Sequence, residues 1–106
     1  MRYCLTLDLI DDPALIREYE EHHKNVWPEI LDSIKDSGIT SMEIYRYGTR
    51  LFMIMETDST FSFERKNAMD GANPKVQQWE TLMLQYQQPF KGAVQKWVLM
   101  DKIFQS

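Results

Sequence analysis

The run Leu51-Phe52-Met53-Ile54-Met55 most restricts the folds open to this chain, because it is apolar at every position. Successive strand residues point to opposite faces, so a strand built from this run carries apolar side chains on both. It must be covered from two sides. Helices of the same chain can supply one cover. A chain of 106 residues is enough for one ordinary domain and has little left for the other side, which points to a partner subunit.

The elements around that strand follow from periodicity and punctuation. Tyr3, Leu5, Leu7 and Leu9 alternate with Cys4, Thr6 and Asp8, the period of a half-buried strand. Asp12-Pro13 is an N-cap followed by Pro at the first helical position. Leu15, Ile16, Tyr19, His22, His23 and Val26 then recur at helical spacing. Pro28 disfavours helix at Trp27, so this helix pauses near Lys24 to Trp27, restarts at Pro28 and stops at Gly38. Thr40 to Tyr47 and Leu51 to Thr57 are strand-like and joined by Gly48-Thr49-Arg50, a hairpin signal. A short helix from Thr60 to about Met69 is followed by a second from Asn73-Pro74 through Val76, Trp79, Leu82, Met83 and Tyr86, ending before Pro89. Val94 to Phe104 is expected to form the last strand.

The order β, α, β, β, α, β predicts an α+β, ferredoxin-like fold in a single domain over residues 1–106: an antiparallel four-stranded sheet with helices on one face. Two such sheets packed face to face make a dimeric α/β barrel. The doubly apolar strand suits that arrangement.

Charge and cysteine usage narrow the function classes. A net charge of −4 with scattered Lys and Arg argues against nucleic acid or an anionic membrane surface as partner. No apolar run approaches the ~20 residues of a membrane-spanning helix, and the alternating first residues do not form a signal peptide. The lone Cys4 pairs with nothing in the chain and fits a reducing compartment. A soluble cytoplasmic protein is expected.

Chemistry concentrates in Glu18 to Glu29, which holds both histidines and one of the three tryptophans. An imidazole gives and takes a proton around neutral pH. Tyr19 and His23, four apart, share a helix face. His22 and His23 diverge by about 100° and lack the i, i+4 spacing of a zinc pair, so no metal is expected. Periodicity does not choose between the two histidines, since both flank the stripe that contains Tyr19, and the same residues also suit a solvated helix end. Trp27 and Glu29 fall just past the break, where side chains can converge on a cleft.

The spacing Tyr19-x-x-x-His23-x-x-x-Trp27-Pro28-Glu29 resembles the L-rhamnose mutarotase family. The resemblance continues through Ile44-Tyr45, Leu51 to Glu56, Gln77-Gln78-Trp79 and Ile103-Phe104. It implies a cofactor-free homodimeric barrel that interconverts the anomers of a 6-deoxy monosaccharide by acid–base ring opening. His23 would be the catalytic acid, Tyr19 a sugar contact beside it, and Trp79 part of the sugar-binding wall.

Two positions depart from the family pattern. Members typically carry a second Trp directly after the one matching Trp79 and a Tyr at the place of Met42, whereas this chain has Glu80 and Met42. Glu80 is therefore read as a substrate-binding residue that replaces stacking by hydrogen bonding to hydroxyls, favouring another 6-deoxy sugar, L-fucose first. A cofactor-free dimeric-barrel monooxygenase and a non-catalytic sugar-binding module are rival uses of the same fold.

Overall fold

A computed structural model describes residues 1–106 and places nine elements in the order β1 (Arg2–Leu9), α1 (Pro13–Lys24), α2 (Pro28–Asp36), β2 (Ile39–Tyr47), β3 (Arg50–Thr57), α3 (Phe63–Gly71), α4 (Pro74–Leu84), β4 (Gln87–Gln88) and β5 (Val98–Leu99). The starts of α1, α2 and α4 are those the sequence signals, whereas α3 begins at Phe63 rather than Thr60, because the Ser62 hydroxyl caps it by accepting from the Arg65 N–H at 3.0 Å. The Asp12 carboxylate accepts from the N–H groups of Ala14 and Leu15 at 2.9 and 3.3 Å, and Asn73 caps α4 in the same way through Lys75 and Val76. A proline occupies the first turn of α1, α2 and α4, where its missing N–H costs nothing. The Trp27-Pro28 break divides the first helical region as expected, and a second break between Gly71 and Pro74 separates α3 from α4.

The sheet order is β2-β3-β1-β4, antiparallel throughout, with β5 also pairing with β1. This is the ferredoxin-like topology. Leu5 faces Met53 and Leu7 faces Leu51 across β1 and β3, while Ile44 of β2 also faces Met53. These side chains therefore share one sheet face. Tyr19 of α1 and Met83 of α4 join Leu9 and Leu51 in one apolar cluster; Ile34 of α2 packs on a second, formed by Leu5, Ile39, Met53 and Met55. All the helical packing falls on this face. The other carries Cys4, Thr6, Phe52, Ile54 and Tyr45, by the same register.

The last strand differs from the expected Val94-to-Phe104 run. Gln87 and Gln88 pair first, with Leu9 and Asp8; the chain then leaves the sheet at Pro89 and returns to pair Val98 and Leu99 with Thr6 and Leu5. Proline has no N–H to continue a ladder, so the departure falls there. Residues 101–106 form no regular structure, and Ile103 and Phe104 are exposed.

Only 17 of the 106 residues are buried, so the helices stand off the sheet rather than close on it. Between the two apolar clusters lies a cavity of about 1270 Å³. Apolar area that a denser core would have buried is instead kept available to a ligand.

Candidate functional site

The cavity is walled by the helix-facing side of the sheet, by all four helices and by Ala93–Leu99, the end of the connection after β4 together with β5. Its volume exceeds the ~300–1000 Å³ common for small-molecule pockets. Most of the lining is apolar, with a few polar groups among it. A shallower groove of about 370 Å³ beside Asp11, Arg17 and Arg46 is crossed by the Arg46–Glu20 ion pair and contains no histidine or tryptophan.

The structure separates the two histidines. His23 lines the cavity, and its Nδ1 donates to the Tyr19 carbonyl at 2.8 Å. A carbonyl only accepts, so the proton of the neutral ring sits on Nδ1, and Nε2 carries a lone pair with no protein partner. His22 lies outside the cavity lining. Its Nε2 shares a hydrogen bond of 3.1 Å with the Tyr86 hydroxyl, and its ring meets Trp79 edge-on at 6.4 Å.

Aromatic contacts fix the His23 ring. It lies 4.4 Å from the Tyr19 ring and 5.7 Å from Trp79, centroid to centroid, the latter edge-to-face. Burial pushes the imidazole below its ordinary 6.5; the bond to the Tyr19 carbonyl opposes this, and neighbouring His22 adds to it. At pH 7 the ring is therefore mainly neutral. Burial likewise pushes the Tyr19 hydroxyl up to about 12, with the Gln87 side chain acting in the opposite sense, so this phenol stays protonated.

Trp79 and Glu80 reach the same cavity from α4, as does Met42 from β2, and Glu80 is half-buried rather than solvent-facing. Both positions that depart from the family pattern thus line the wall. Trp27 and Glu29 do not. Trp27 packs edge-on against Trp79 at 5.2 Å, with the Lys75 ammonium 6.0 Å from its ring centre, so it supports the wall without lining it. Gln87, which no sequence signal marks, lines the cavity next to Tyr19. No group of three or more His, Cys, Asp or Glu is arranged to hold a metal ion.

The sequence profile described as L-rhamnose mutarotase matches residues 2–106. The chain belongs to the L-rhamnose mutarotase family. It is 40% identical over 107 residues to an L-fucose mutarotase of Xanthomonas campestris pv. campestris, an alignment covering 97% of this chain and 86% of that protein. Its fold matches the crystal structure of an L-rhamnose mutarotase from Formosa agariphila, with a TM-score of 0.75 at 18% identity over 100% of this chain and 98% of that one. A more distant likeness, TM-score 0.57 at 18% identity over 100% of this chain and 95% of the other, is to the tetracenomycin F2 cyclase of Streptomyces glaucescens. One fold thus carries two chemistries, and what distinguishes this family is the site placed on it. No helix is long and apolar enough to cross a membrane.

Proposed function

We propose that this mutarotase-family chain, acting as one catalytic domain, interconverts the α and β anomers of a 6-deoxy monosaccharide, L-fucose in preference to L-rhamnose. The observation that carries the mechanism is the His23 Nδ1 bond to the Tyr19 carbonyl, which leaves Nε2 as the free basic atom of a ring that lines a ligand-sized cavity. Nε2 takes the proton of the anomeric hydroxyl. The bond from the anomeric carbon to the ring oxygen breaks as the carbonyl forms. The electron pair left on the ring oxygen takes the proton from the imidazolium. The open aldehyde then turns about its bond to the next carbon, and the same transfers in reverse close the ring on the other face. His23 enters as the base and leaves as the acid, which refines the acid role implied by the family resemblance.

The proton is conserved between the two oxygens of the sugar, so His23 returns to its starting state at each turnover. Trp79 offers its face to the apolar patch of the pyranose, and the protonated Tyr19 hydroxyl is a partner for a sugar hydroxyl. The preference for L-fucose is supported by the identity with an L-fucose mutarotase and by Glu80 and Met42, which replace aromatic surface by a carboxylate and a flexible thioether. Exchange NMR of the anomeric protons tests the reading. Acceleration with L-fucose, and a smaller effect with L-rhamnose, is expected; absence of acceleration with both, and with common hexoses, would refute it.

We propose also that the protein is a homodimer closed over the free sheet face. Phe52 and Ile54 lie on that face, and Tyr45 beside them is 54% exposed. Sedimentation equilibrium should give twice the chain mass at micromolar concentration. A monomer mass at all concentrations would overturn the dimer and leave the reaction untouched.

A further inference from the structure

We infer that Gln87 is a substrate-binding residue whose side-chain oxygen accepts a hydrogen bond from a ring hydroxyl of the pyranose; the inference rests on the mutarotase reading above. Gln87 Oε1 is the one buried side-chain polar atom in the chain without a hydrogen-bond partner, and the residue is only 6% exposed. Buried polar groups are nearly always paired, because an orphan forfeits its hydration without replacement. This orphan sits in the cavity wall. Gln87 is directly opposite Leu9 in the register, so its side chain shares the helix-facing side of the sheet with the cavity and with Tyr19. The torsion that turns a terminal amide is soft, so Oε1 reaches the cavity surface by a turn that exchanges the amide's hydrogen-bonding contact with the Tyr19 hydroxyl for one with the ligand.

The chemistry of the atom selects its ligand. An amide oxygen only accepts, so it matches a hydroxyl donor and not a phosphate or carboxylate. It lies on β4, the short strand that precedes the Pro89 departure, and it approaches the sugar from the sheet while His23 approaches from α1. A hydroxyl held there fixes how the ring is presented to Nε2.

The test uses the full chain and exchange NMR on L-fucose together with its monodeoxy and monofluoro analogues, a fluorine being unable to donate. In the wild type, one ring position should lose about 10- to 100-fold in kcat/KM when its hydroxyl is replaced. Gln87→Met should lose a similar factor on L-fucose and show no further loss on that analogue. Gln87→Glu, which keeps an acceptor oxygen in either protonation state, should retain the discrimination. Thermal unfolding of Gln87→Met at or above the wild-type midpoint is expected, since the variant removes an unpaired buried group. If Gln87→Met keeps wild-type rates, or loses the same factor on L-fucose and on every analogue, Gln87 holds only water or the local fold and the inference falls. A wild type inert on all sugars overturns the mutarotase reading and this inference with it.

Discussion

Replacing His23 by Asn separates proton transfer from architecture. The Asn amide nitrogen can take the place of Nδ1 and keep the donor to the Tyr19 carbonyl, now 2.8 Å away, while nothing replaces Nε2. Proton transfer by a positioned side chain contributes ~10²–10⁴ in rate, so kcat/KM should fall by that factor, about 2.7–5.5 kcal/mol of barrier. The same change removes the ring contacts at 4.4 Å to Tyr19 and 5.7 Å to Trp79. At about 0.5–1.5 kcal/mol each, these predict a stability loss of roughly 1–3 kcal/mol, so folding must be checked by circular dichroism at the assay temperature. Exchange NMR between about pH 5 and 8 supplies the decisive readout. Wild-type kcat/KM should rise with pH as the imidazole loses its proton and level off, with a midpoint below 6.5, because burial lowers the pKa. The Asn variant should show no such rise. A variant that keeps more than about a tenth of the rate, or a wild-type rate that falls with pH across this window, would refute His23 as the entering base. His22→Ala is the control: it loses the bond to the Tyr86 hydroxyl and should leave the rate within about threefold.

Alkaline pH probes Tyr19 through stability. Its hydroxyl ionises near 10 in the unfolded chain and is pushed up to about 12 in the native one, so the unfolded state binds fewer protons in between. Stability should fall as pH rises through this window by up to about 3 kcal/mol, and urea titrations of Tyr19→Phe should lack that loss. Restoring the family pattern with Glu80→Trp and Met42→Tyr should move the ratio of kcat/KM for L-rhamnose over L-fucose up by about tenfold; an unchanged ratio would remove these two residues from sugar choice. Gly38→Ala should cost roughly 1–3 kcal/mol in urea unfolding, because φ is +96° and the added Cβ would lie 2.6 Å from both Asp58 Oδ1 and Thr60 Oγ1. A neutral outcome there would mean that the Asp58–Phe61 turn moves aside freely.

Local punctuation carried most of the fold. Asp12 and Asn73 cap through their own side chains, and each precedes a proline, so the helix starts are written in two adjacent residues. Strand β1 was legible because one of its faces is buried. The last strand was not, since its first pairs come from Gln87-Gln88, polar residues held at the sheet edge by Leu9 and Asp8 rather than by any strand preference of their own. Periodicity brought Tyr19 and His23 together but left His22 open, because the distinction depends on Tyr86, 64 positions away, which hydrogen-bonds His22 outside the cavity. The helix break suggests that Trp27 converges on a cleft, but its ring packs on Trp79 and does not line the cavity. Gln87 had no signal at all: a glutamine is exposed by default, and only its cross-strand partner makes this one buried.

The interruption at Trp27-Pro28 also sets the electrostatic surroundings of His23. Because α1 ends at Lys24, His23 lies in its final turn, where the His22 carbonyl accepts from the capping Asn25 N–H and no further helical turn follows. That terminus carries the negative pole of the helix and favours a cation there by about 0.3–1 kcal/mol. Burial favours the neutral imidazole, and on the proposed mechanism the helix end would favour the imidazolium formed between the two proton transfers. The break before Pro28 thus sets two opposing influences on one ring, burial against its charge and a helix end in favour of it.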